Sequence, residues 1–433
     1  MPARIRTFLD KMANNKILQK VFFYLICALT LLYVFTIPSF SARERVYIIA
    51  YFAMALLLGA SILYIIIFRN YKFDKRTLML PLFVIFAFFG TLFFSHAFRD
   101  YLTLILLAVT FYTLLVAFSI INDSRLALQI VTFALLAFSI YYIVVYRHDI
   151  LNASKFTGES FRLGWYFDNP NAIGTFMNIG ISISLYLALF GKNKWYYLFL
   201  LATFVFFLVG FTTGSRTFIL SSILSVVLLL FFRFKQHWLV FLLILVALIV
   251  VFIALLNTPL MVTVKYRIQD TLDIFTGGGS GGGTAGSTTE RLLWQQYGLY
   301  FGSRHLIFGY GTNGFAVFSG THTYTHGNFS EVLCDFGLPG FILFYSVFLI
   351  PAIILTLSHK KEKFFVLTTT AVFLLEGFLS VYYYSKVTYV LLAINFFAIK
   401  DLTFKDVLAL HNFTWTWVRK KKVIDYDFYQ VNI

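Results

Sequence analysis

Apolar runs of 17–23 residues recur from one end of this 433-residue chain to the other. A helix needs about 20 such residues to cross a bilayer, because hydrocarbon offers no partner to an unpaired backbone N–H or C=O. A chain with this pattern folds as a polytopic, all-α membrane protein. Charged residues make up 12% of the sequence and hydrophobic ones 60%, whereas a soluble domain carries about a quarter charged residues. The net charge of +16 would suggest nucleic acid in a soluble protein. In a membrane protein its placement reports orientation instead, and no nucleic-acid partner is expected. The first run is too long, and too closely followed by others, for a cleaved signal peptide.

Twelve spans are predicted, at roughly 21–38, 46–68, 77–95, 101–121, 126–146, 170–190, 195–213, 216–232, 238–257, 337–357, 363–381 and 386–400. They divide the chain into nine spans over 1–257, a long polar loop at 258–336, three spans over 337–400, and a basic aromatic tail at 401–433. With a cytoplasmic N-terminus, 23 Lys and Arg fall on the inner side and 12 on the outer. That bias predicts cytoplasmic termini and an extracytoplasmic 258–336 loop. The tail, with R-K-K-K at 419–422, suits an anionic inner membrane surface, so membrane lipid is an expected partner. Outer positive charge is disfavoured by topology, which makes Arg147, Lys155, Arg162, Arg216, Arg291 and Arg304 candidates for binding an anion.

The outer loops carry the residues with chemical potential. Within 258–336, T-G-G-G-S-G-G-G-T-A-G-S reads as a flexible linker, natural or introduced. Arg291 then opens R-L-L-W-Q-Q-Y-G-L-Y-F, either as a solvated residue on an interfacial helix or as a cation for a diphosphate. Arg216, in T-T-G-S-R-T, either snorkels at the span end or offers a planar fork to phosphate. Gly214 and Ser215 would let that phosphate approach the helix N-terminus. His326, in Y-T-H-G-N-F-S-E, is a candidate general base, with His322 as its rival. Glu331 either orients the imidazole or is a buried carboxyl at a helix start. In D-N-P-N at 168–171, Asp168 or Asn169 caps a helix that Pro170 begins, and Arg162 and Asn171 would face the same outer cavity. Tyr310, Tyr324 and Asn328 are further candidates for substrate contact. Cys27 and Cys334 fit neither a metal pattern nor a disulfide framework and read as packing residues. No metal or cofactor is expected, since there is no P-loop and no D-D or D-x-D pair near a span.

Taken in order, N-P-N before a mid-chain span, T-T-G-S-R-T, Arg291 with Trp294, F-G-Y-G-T-N-G-F and the His…Asn…Glu…G-L-P-G run resemble the O-antigen ligase/polymerase family of bacterial envelope biogenesis. The resemblance covers about residues 160–350. One departure is Gly327, which separates His326 from Asn328 where the family often has the two adjacent. The resemblance implies a GT-C-like, metal-independent glycosyltransferase in the bacterial inner membrane, acting on its outer face on undecaprenyl-diphosphate-linked oligosaccharide. By position, Arg216 and Arg291 would hold the donor diphosphate and His326 would be the base. A chain-length regulator or flippase of the same pathway would be a partner. Polymerase is the favoured activity, with an O-antigen-type ligase or a lipid-linked oligosaccharide flippase as alternatives.

Overall fold

The computed structural model describes residues 11–39, 47–68, 71, 73–155, 161–167, 169–191, 194–276 and 284–402. Asp168, the core of the Gly-rich stretch and the tail beyond 402 lie outside the described residues. The main helices are α1 (Lys16–Ser39), α2 (Tyr47–Phe68), α3 (Met79–Gly90), α4 (Phe98–Ile121), α5 (Ser124–Val145), α6 (Pro170–Phe190) and α7 (Tyr196–Thr212). They continue with α8 (Arg216–Phe234), α9 (Trp238–Leu256), α10 (Val262–Thr276), α11 (Thr284–Arg304), α12 (Asn328–Thr356), α13 (Glu362–Glu376) and α14 (Lys386–Ile399). There is no strand among the described residues. Nine helices among them are long and apolar enough to cross a membrane. Each predicted apolar run contains a helix, the shorter ones being α3, α7, α13 and α14, of which α3 is extended by flanking turns into a continuous Lys75–Ser95 span. The chain is a polytopic, all-α membrane protein.

Burial separates the helices into a centre and a rim. Every residue of α6 from Ile173 to Leu187 is buried, as is every residue of α14 from Val387 to Ile399. By contrast, none of the 19 residues of α9 is buried, although all are apolar or aromatic. Such a helix is stable only if hydrocarbon covers it. The central helices carry polar side chains that pair with one another, as groups remote from water must. The Ser182 and Ser225 hydroxyls meet at 3.0 Å, those of Ser184 and Thr203 at 2.7 Å, and Asn178 Nδ2 donates to Glu376 Oε1 at 3.3 Å.

Three departures from the expected boundaries shape one end of the bundle. The 258–336 segment, expected as loop, folds into α10 and α11 before becoming irregular at about 305–327. The tenth span, expected at 337, begins as helix at Asn328 and breaks at Gly337, whose φ of 62° is left-handed. Leu338 N–H donates to Leu306 C=O there, and a Cβ on Gly337 would lie 2.6 Å from that oxygen, so G-L-P-G marks a kink only glycine can make. The eleventh span ends at Glu376 and not near 381; residues 377–385 cross the end of the bundle outside any long helix.

Candidate active site

The site is built on α12 and two irregular segments fastened to it. The first is F-G-Y-G-T-N-G-F at 308–315. Its backbone donates from Tyr310 to Cys334 C=O at 2.9 Å and from Gly311 to Asp335 C=O at 2.7 Å. The buried Asp335 carboxylate accepts the N–H groups of Asn313 and Phe315, each at 3.1 Å, and the Tyr383 hydroxyl. On its other side the loop lies against α3. The Thr312 and Thr91 hydroxyls meet at 2.9 Å, and a Cβ on Gly311, at φ 83°, would lie 2.6 Å from the Gly90 backbone. Gly311 is therefore required by close backbone contact.

The second segment is G-F-L-S-V-Y-Y-Y-S at 377–385. Asn328 holds it at three points. Its N–H donates to Gly377 C=O at 2.7 Å, and its Oδ1 accepts the N–H groups of Tyr382 and Tyr383, each at 3.0 Å. Asn328 Nδ2 donates to the Tyr345 hydroxyl at 2.7 Å. With its side chain fully buried and engaged in this way, Asn328 shapes the site and is not among the residues that line the cavity.

His326 is presented by the turn before α12. Glu331 Oε2 accepts the Thr325 N–H at 2.6 Å, and the Thr325 hydroxyl donates to Gly327 C=O at 2.8 Å. Of the two readings of Glu331, the structure agrees with the buried carboxyl at a helix start, which grips the backbone one residue before the imidazole. His326 sits at φ 60°, a costly left-handed conformation for a non-glycine residue. Its ring stacks on Trp294 of α11, centroids 5.1 Å apart and planes 14° apart, with Tyr324 at 4.3 Å on another side. Burial, and then the charge of Arg291, push the imidazole down to about 4. At neutral pH it is uncharged and can accept a proton. Burial also holds the Arg291 guanidinium below its usual value, with Arg267 adding to the effect.

These parts enclose a cavity of about 330 Å³. Arg291, Tyr324, His326 and Glu331 line it from α11 and the α12 turn, and Asn169, Asn171 and Thr175 from the start of α6. Asp100 of α4, Asn313 and the 379–385 segment complete the wall. Asn169 is the cap of α6, accepting the Asn171 N–H at 2.9 Å, and Pro170 takes the first helical position as expected. Arg162 lies behind Asn171, donating from Nη2 to its Oδ1 at 3.0 Å. His322 is exposed and is not among the lining residues. Tyr310 is buried against Phe315 and Cys334 and is also outside the lining.

Arg216 opens α8, where Ser215 Oγ accepts the Phe218 N–H at 3.3 Å, and does not line the cavity. The structure adds an arginine that the spacing did not single out. Arg267 of α10 donates from Nη1 to Gly214 C=O at 3.0 Å, while Arg162 Nε donates to Thr213 C=O at 3.4 Å. The turn before Arg216 is thus flanked by two guanidinium groups, and one of them acts electrostatically on Arg291. Neither Arg267 nor Asp100 stands in a motif, so only tertiary structure brings them to the site.

Residues 201–345 match the model of a family described as O-antigen ligase. No curated protein matches the chain. The matched stretch runs from α7 into α12 and includes Arg216, Arg267, Arg291, His326 and Glu331. Over residues 201–345, and on a polytopic all-α chain, this protein is similar to the family described as O-antigen ligase.

Proposed function

We propose that the protein is a polysaccharide polymerase of the outer face of the bacterial cytoplasmic membrane. In this reading it transfers glycan from an undecaprenyl-diphosphate donor to the sugar of a lipid-linked repeat unit. The observation that carries it is His326, neutral and set beside Arg291 in one cavity. An acceptor hydroxyl attacks the anomeric carbon and passes its proton to the imidazole. The bond from that carbon to the diphosphate oxygen breaks, and the lipid diphosphate leaves with the electron pair. Arg291 meets the departing charge, assisted by Arg267 and, around the 213–216 turn, by Arg162 and Arg216. Guanidinium groups supply the neutralisation in this scheme, and no metal or cofactor is assigned a part.

Purified full-length protein in nanodiscs, given a lipid-linked repeat unit, tests this directly. A ladder of products supports the polymerase. Transfer to a foreign acceptor alone would make the protein a ligase, and translocation without product would make it a flippase. The side of the membrane is tested separately in a Cys27→Ala, Cys334→Ala background. Ser303→Cys, on the exposed end of α11, is expected to react with an impermeant maleimide on intact cells, and Gln236→Cys only after permeabilisation. The opposite pattern would put the site in the cytoplasm.

A further inference from the structure

We propose that Asp100 and Asn313 form a subsite for sugar hydroxyls within the cavity. Both residues line it, and Asn313 Nδ2 donates to Asp100 Oδ2 at 3.2 Å. Asp100 Oδ1 and Asn313 Oδ1 accept no hydrogen bond from the described residues, which leaves two acceptor oxygens on adjacent side chains. Neighbouring hydroxyls of a pyranose are donors that such acceptors can take up, and a carboxylate is the stronger of the two acceptors. The pair is also held in place. Asn313 has a left-handed backbone, φ 56°, with its N–H on Asp335, and the preceding Thr312 is tied to Thr91 and to Ala97 C=O, three residues before Asp100.

Charge decides which part of the substrate meets this wall. Asp100 repels a diphosphate, whereas Arg291, elsewhere on the lining, attracts it. The anionic group therefore settles at Arg291 and the uncharged sugar faces Asp100. Tyr384, in the same lining, offers a ring for the apolar face of a saccharide. Asp100 lies outside the stretch matched to the family, so the recognition it provides belongs to this chain's own α4. A sugar here belongs either to the incoming repeat unit or to the growing chain; the chemistry is shared, and the measurement separates the two.

The inference rests on the transferase reading, so sugar binding is measured apart from turnover. The probe is the lipid-free oligosaccharide repeat released from the cell's own polymer, titrated by saturation-transfer NMR against full-length protein in nanodiscs. Asp100→Ala and Asn313→Gly, the latter keeping the left-handed backbone, are expected to weaken its binding by about five- to tenfold. Asp100→Asn keeps an oxygen for Asn313 and should lose less. In turnover, KM should rise with kcat within about twofold, for the single repeat unit if the sugar is the acceptor and for the preformed chain if it is the donor. Unchanged oligosaccharide binding in Asp100→Ala, or no binding by the wild type, overturns the subsite. A collapse of kcat at constant KM also overturns it, and would make Asp100 a competing base. If Asp100→Ala does not fold, Asp100→Asn and Asn313→Gly decide by the same readings. Oligosaccharide bound by the wild type and lost in the variants, with no transfer of any lipid-linked unit, would uphold the subsite and sink the transferase reading.

Discussion

Replacing His326 with alanine is expected to lower turnover by about 10²–10⁴-fold while leaving the lipid-linked donor bound. The imidazole acts only as the proton moves, so its loss should appear in kcat and not in donor affinity. His322→Ala should remain active, because His322 is exposed and outside the cavity lining. The pH profile gives a second reading. A free imidazole loses its proton near about 6.5, but burial and Arg291 push His326 down to about 4. The base is competent only when unprotonated, so kcat/KM should hold through the weakly acidic range and fall as pH drops through about 4. A bound diphosphate would offset the charge of Arg291, so the acid limb of kcat should lie higher than that of kcat/KM. An acid limb near the ordinary imidazole value that persists in His326→Ala would show that another group is the base.

The membrane-spanning helices were legible because an apolar run of sufficient length has one solution in hydrocarbon. Their ends at the site were not. Residues 377–381 are nearly as apolar as the helix before them, and hydropathy carries the span across them. The chain leaves the helix there because Asn328 captures Gly377, Tyr382 and Tyr383, a competition that exists only in three dimensions. The same limit governs the site. Arg291, Tyr324 and His326 lie in the polar 258–336 segment and Asn171 at a span start, and the structure brings them to one cavity. Glu331 reaches it too, yet its hydrogen bond goes to the Thr325 backbone. Asp100 in sequence is an ordinary acidic residue in the first turn of a helix, favoured there by the helix dipole. Only the docking of the 308–315 loop on α3 and α4 gives it a second use.

Arg291→Ala is expected to weaken donor handling by about ten- to hundredfold, since a charge-assisted contact is worth about 1.5–3 kcal/mol. Lysine should restore only part of it, because the ammonium cannot present two parallel donors to a phosphate. Arg291 also stands next to the base, which makes the variant diagnostic in a second way. Its charge is one of two causes that lower the His326 value, burial being the larger. Removing it should move the acid limb of kcat/KM up from about 4 towards the ordinary imidazole range, while residual burial keeps it below about 6.5. A loss of donor affinity without any movement of the limb would separate the arginine from the histidine and break the single-cavity mechanism. Comparison of Arg216→Ala with Arg267→Ala then locates the other end of the diphosphate. Both lie outside the lining, but Arg267 binds Gly214 C=O and acts electrostatically on Arg291. The larger loss is therefore expected from Arg267→Ala, and a donor affinity untouched by it, with a loss in Arg216→Ala, would return the second phosphate to the residue that the T-T-G-S-R-T motif first suggested.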